Sequence, residues 1–143
     1  MRILEDKEMP LIDIRTVSTA ALAYFGDGVI ELLVRRRLVG AGYSSSKTLN
    51  AKARYFVCAP AQAAAMERLL PHLTDEEAAI FRRGRNVGHT NTPKNATVAE
   101  YRSATGMEAL FGYLYLTEKE ARAAELFELA YANNTNAQKE IEA

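Results

Sequence analysis

The stretch from Ala21 to Leu33 reads ALAYFGDGVIELL, a nearly unbroken apolar run with an aspartate, Asp27, set between Gly26 and Gly28. Each glycine inside a helix costs roughly 1 kcal/mol relative to alanine. A carboxylate without a partner in an apolar setting costs more, or takes up a proton. Two such liabilities side by side point to a use for them. The run is too short to cross a membrane and contains Asp27 and Glu31. It therefore predicts a central helix, capped by Ser18 or Thr19 and running to about Val39, where GAGYSSS follows. Arg35, Arg36 and Arg37 mark where that helix emerges into solvent, and they also suit a helix C-terminus.

The rest of the chain repeats the helical period and lacks the alternation of strands. Leu49, Ala53, Phe56 and Val57 recur at helical spacing. Pro60 suits the first turn of the next helix, and Pro71 lies just beyond its end. Thr74 and Glu77 form a capping box for a short helix that Gly84 closes. Residues 85–96, RNVGHTNTPKNA, read as a polar loop. A second capping box, Thr97 with Glu100, opens a long helix through EYRSATGMEALFGYLYL. A last amphipathic helix is expected from about Glu118 to Ala132.

The fold class is all-α, a helical bundle forming one domain over residues 1–143, with its core at about 18–132 and a frayed tail at 133–143. A chain of 143 residues buries roughly two-thirds of its unfolded surface. The single cysteine, Cys58, excludes an internal disulfide, fits a reducing cytoplasm and reads as buried filler. The charged start, MRILEDKEMP, has no secretory apolar region, so a cytoplasmic location without membrane attachment is expected.

A second acid repeats the oddity of the first. Glu108 lies between Gly106 and Gly112 in the long late helix, sharing a side with Thr105, Ala109 and Gly112. On the early helix Ala20, Ala23, Asp27 and Glu31 share another. Glycines on both helices allow close approach of the backbones and bring Asp27 and Glu108 toward one point. Two acidic oxygens meeting there suit a hard divalent cation, which often binds through one or two carboxylates plus substrate phosphate. A salt-bridge or solvent-facing role for either acid is the plainer alternative.

Lys and Arg balance Asp and Glu at 18 each, so any anion binding must come from a local patch. FRRGRNVGHTNTPKNA supplies one, with Arg82, Arg83, Arg85, Lys94 and His89 and no acid. Asn86 and Asn95 add hydrogen-bonding groups of the kind that contact phosphate and sugar. Few aromatics interleave, which favours a duplex read by shape over stacked single strands. His72 and His89 pair with no nucleophile at a recognisable spacing.

YFGDGVIELLV resembles the signature helix of ribonuclease III catalytic domains, and TGMEALFGYLYL resembles that family's second acidic helix. LAYFGD, RRGRN, TPKN followed by YR, and EALFGYLYL are similar to the mini-ribonuclease III branch, whose members consist of the catalytic domain alone. The resemblance covers roughly Ser18 to Leu129. It implies a homodimeric all-helical endonuclease that cuts both strands of double-stranded RNA at Mg²⁺-dependent sites, leaving 5′-phosphate ends. The substrate it implies is precursor 23S ribosomal RNA. Mn²⁺ as the metal and a ribosomal protein as helper are left open.

Where the larger family carries further acids, this chain has Ala20, Ala23 and Thr105, so Asp27 and Glu108 are the inner carboxylates that remain. That implies Mg²⁺ binding completed by water and RNA phosphate. Asp27 is the expected principal ligand and Glu108 the second, with Thr105 a candidate hydrogen bond to a bound water. Glu31 is expected to pair with a nearby arginine. No separate RNA-binding domain is expected in the short tail after Ala132, so Arg82, Arg83, Arg85, Asn86, Lys94 and Asn95 are expected to carry the RNA contact. Loss of the other acids also motivates an alternative, a non-catalytic dimer that binds structured RNA.

Overall fold

The computed structural model describes residues 11–87 and 95–132, and among the described residues all regular structure is helical. The main elements are α1 (Thr19–Gly40), α2 (Ser46–Val57), α3 (Ala59–Leu69), α4 (Asp75–Arg85), α5 (Val98–Leu116) and α6 (Glu120–Ala130). Short 3₁₀ turns at Ile14–Thr16 and Leu70–His72 complete the path. Hydrogen bonds at the helix starts follow the sequence closely. The Ser18 hydroxyl accepts from the Ala21 amide, and the capping boxes at Thr74–Glu77 and Thr97–Glu100 are both formed. Gly42, at a φ of 97°, takes the left-handed turn that ends α1.

Helix α5 is the axis of the molecule. It packs on α1, α4, α3 and α6, and Met107, Ala109, Leu110, Phe111 and Leu114 are fully enclosed. The expected central helix, α1, is a flanking one. Its inner face buries Leu22, Ile30, Val34 and Leu38, while Tyr24, Phe25 and Leu32 on its outer face stay exposed. An apolar pattern all round a helix therefore records one face covered by the chain's own core and another that is not.

Glycines set the two closest helix contacts. A methyl group on Gly26 would overlap the backbone carbonyl of Glu108, and one on Gly112 would overlap the carbonyl of Leu22. Gly84 approaches α5 in the same way, where an added Cβ would lie 2.8 Å from the Gly106 Cα. Gly84 is thus a packing residue inside α4, not its terminator, and the helix continues to Arg85. Gly28 has open space around it.

Two other expectations are corrected. Cys58 is exposed at the α2–α3 junction, where the chain changes direction and leaves its side chain outside the core. Helix α6 starts at Glu120 because Glu118 adopts a φ of 60°, which breaks the helical path after α5. The lead-in 1–10 and the tail 133–143 lie outside the described residues.

The last helix is pinned at both ends. Arg122 donates to both carboxylate oxygens of buried Glu77, at 2.9 Å each, and to the His72 carbonyl at 2.7 Å. The arginine beside Glu77 holds that carboxyl below the ordinary glutamate range. At the other end the Tyr131 hydroxyl donates to the Phe56 carbonyl at 2.9 Å, with its ring against Phe56 and Phe127.

Substitution to alanine should separate the glycines by sign. Gly28→Ala is expected to stabilise by about 0.5–1 kcal/mol through helix propensity. Gly112→Ala should cost about 3 kcal/mol or more, because rigid backbone must move. Urea unfolding followed by far-ultraviolet circular dichroism measures both, and a Gly112→Ala protein as stable as wild type would refute the packing account.

Candidate active site

The contact between α1 and α5 that Gly26 permits lies one residue from Asp27 and directly at Glu108. Helical geometry then carries both carboxyl groups to the same edge of the interface. Asp27 is exposed on the rim, and the Glu108 side chain is partly buried behind it. The two carboxyls are close enough to share a hydrogen bond. Burial, and then the neighbouring negative charge of Asp27, push the Glu108 carboxyl up to about 8. Removing water from an acid and placing a second acid beside it both favour the neutral form.

A divalent cation would reverse that balance by supplying positive charge between the oxygens. No cluster of three or more His, Cys, Asp or Glu that could hold a metal occurs among the described residues. Two carboxylates with one open to solvent fit a hard cation that keeps several waters and uses few protein ligands. They fit poorly with a metal that needs a closed protein cage.

Two hollows flank the pair. Asp27 borders a cavity of about 440 Å³ lined by Tyr24, Phe25, Gly28, Leu32 and Tyr115. Glu108 forms part of a second, of about 480 Å³, with Cys58, Gln62, Asn95 and Tyr101. Gln62 did not stand out in the sequence as functional. Residues 62, 65, 66 and 69 share one helical face, and Gln62 is the polar member of an otherwise apolar set. That spacing was the available signal.

The other candidates are distributed as follows. Thr105 is buried and its hydroxyl donates to the Tyr101 carbonyl at 3.0 Å, back along its own helix. Glu31 accepts from Arg35 at 2.7 Å in an exposed i,i+4 pair, one turn beyond Asp27. Arg82, Arg83 and Arg85 are exposed on the last turn of α4, and Arg85, expected to begin the loop, is its last residue. Arg83 donates to the Thr19 hydroxyl at 3.0 Å, tying that basic end to the start of α1. Arg85 lies over the Phe81 ring, 5.7 Å from its centroid. Asn86 and Asn95 are exposed on either side of the 88–94 segment. Lys94 and His89 lie outside the described residues.

The raised carboxyl has a measurable consequence in metal-free protein. The native state keeps a proton on Glu108 up to about pH 8, whereas an ordinary glutamate releases it near 4.5. Stability is therefore greatest below that window and falls as pH rises through it, at a limiting slope of about 1.4 kcal/mol per pH unit. Thermal unfolding in chelator should show Tm dropping between pH 5 and 8.5. Glu108→Gln should flatten the slope, and an equal slope in both proteins would contradict the assignment.

Comparison with known proteins identifies the family. A model of the ribonuclease III domain matches residues 20–119, which includes both carboxylates. A mini-ribonuclease 3 from Symbiobacterium thermophilum is 43% identical over 85% of this chain and 94% of its own length. The Brevibacillus brevis mini-ribonuclease 3 is 39% identical over 88% of this chain and 94% of its own. A crystal structure of a protein from Fusobacterium nucleatum superposes with a TM-score of 0.77 at 31% identity, covering 85% of this chain and 98% of that one. No described helix is long and apolar enough to cross a membrane. On the match of fold, sequence and length, the chain belongs to the ribonuclease III family of endoribonucleases and is similar within it to the mini-ribonuclease 3 proteins.

Proposed function

We propose that this protein hydrolyses double-stranded RNA as a Mg²⁺-dependent homodimer in the cytoplasm, with precursor 23S ribosomal RNA as its substrate. The observation that carries the reading is the juxtaposed pair Asp27 and Glu108, held by the α1–α5 contact at the edge of an open surface. The ribosomal precursor follows from the resemblance to the mini-ribonuclease III branch.

Asp27 and Glu108 are the residues that would hold the metal. A bound Mg²⁺ would supply Lewis-acid polarisation of the scissile phosphate and favour attack on it by water. Glu108 must give up its proton for that role, and its burial keeps the carboxylate from wandering once it has done so. Both groups stand on regular helices fixed by core packing, which holds them in place more firmly than loops would. Arg82, Arg83, Arg85, Asn86, Lys94 and Asn95 supply contacts to phosphate and sugar, which position an A-form duplex without reading its sequence.

The uncovered side of α1 supports the dimer. Tyr24 is 85% exposed and Leu32 55%, with Phe25 and Tyr115 bordering the hollow beside Asp27. A contiguous apolar surface of this kind is costly to leave in water and fits a second copy of the chain. An isologous contact there would set two acidic pairs beside one duplex, one for each strand.

Asp27→Asn should lower Mg²⁺-dependent cleavage of duplex RNA at least about a thousandfold. RNA binding and circular dichroism should persist, and a denaturing gel at low salt reads the outcome. Arg82→Ala should reduce the slope of log affinity against log salt by about 1. Retained cleavage in the first variant, or an unchanged slope in the second, would remove that residue from its role. Tyr24→Glu is expected to shift the sedimenting species from dimer to monomer, and a dimer that survives it would place the interface elsewhere.

A further inference from the structure

Gln62 is 3% exposed, a polar side chain on the same helical face as the core residues Ala65, Met66 and Leu69. Buried amides are almost always paired, and a leucine or methionine at this position would serve the core better. Gln62 lines the cavity of about 480 Å³ that Glu108 also borders. The first turn of α3 borders the same space. Its N-cap, Cys58, gives no side-chain bond, so the leading amides of α3 are uncapped. Apolar atoms of Ala59, Pro60 and Ala104 complete the walls.

We propose that this cavity receives the ribose and phosphate next to the cleaved bond, and that Gln62 is a positioning residue that hydrogen-bonds the ribose 2′-hydroxyl. The inference rests on the nuclease reading, since Glu108 places any occupant beside the acidic pair. A carboxamide offers a donor and an acceptor, matching a hydroxyl that is also both. The 2′-hydroxyls of an A-form duplex lie along its shallow groove, where a side chain reaches them. The amide end of α3 suits a phosphate oxygen. Small apolar walls accommodate the sugar ring without competing for its polar groups.

The test uses the intact protein without divalent metal, so that binding is read apart from cleavage. Cys58 is the only cysteine, and it lines the cavity, so N-ethylmaleimide reports occupancy at one site. RNA duplex should slow its alkylation about fivefold or more. Wild type should bind a 2′-hydroxyl duplex about fivefold tighter than a 2′-fluoro duplex, which stays A-form but lacks the hydroxyl donor. Gln62→Met should bind both alike while its Tm holds or rises, an outcome opposite to that of removing a structural residue. Alkylation unchanged by bound RNA would overturn the proposal. So would a Gln62→Met protein that keeps the preference, or one that loses Tm without losing it. Cleavage assayed in parallel with Mg²⁺ separates the two readings. Protection and preference without cleavage would sink the nuclease reading and overturn the placing of this ribose beside a cleaved bond, leaving only a contact between Gln62 and a 2′-hydroxyl. Cleavage without protection would keep the nuclease reading and overturn the ribose site, and absence of RNA binding would remove both.

Discussion

The structure depends on the place where α1 and α5 touch backbone to backbone. Gly26 lies on the carbonyl of Glu108 and Gly112 on the carbonyl of Leu22, so each helix supplies the notch that the other fills. No side chain stands between them to act as a spacer. A carboxylate on the residue after Gly26 and a carboxylate on the residue beneath it are therefore brought together by the same contact that closes the core. Packing and chemistry are one arrangement here. The cost of two mid-helix glycines and of two neighbouring acids is offset by burial along the rest of both helices.

Much of this was legible in the sequence because local signals and long-range packing agreed. The capping boxes at Thr74 and Thr97 begin helices where they should, since a threonine and a glutamate three apart satisfy each other's backbone partners without outside help. Gly84 misled because glycine has two uses. As a helix terminator it needs nothing but its neighbours in sequence, whereas its actual role depends on α5, which lies more than ten residues further along. Cys58 misled because its exposure follows from the turn between two helices, and no periodicity records a turn's orientation. The helix α1 could be identified as apolar on every side, but nothing in its own residues says which side the chain itself covers.

The candidate site divides in the same way. Asp27 and Glu108 were singled out by the chemical oddity of acids beside glycines in apolar helices, and the structure brings the two together. Gln62 was not, because a glutamine among alanines is unremarkable until its burial is known. Of the basic residues expected to meet RNA, Arg85 was assigned to a loop. Three of them occupy the end of α4, where the helix dipole also favours positive charge. Arg83 reaches across to Thr19 and so relates that end of α4 to the helix that bears Asp27.

The glycine contact also bears on how the molecule breathes. Many enzymes place their reacting groups on segments that open locally at little cost, so the site fluctuates while the core stays closed. Here both acids sit on the two helices most tightly joined to each other. Amide hydrogens near them are expected to exchange only when that joint opens, in step with loss of the core. A site of this construction offers little room for a partly open form. It is either assembled or lost with the whole domain, and its working temperature is limited by the same event that ends the fold.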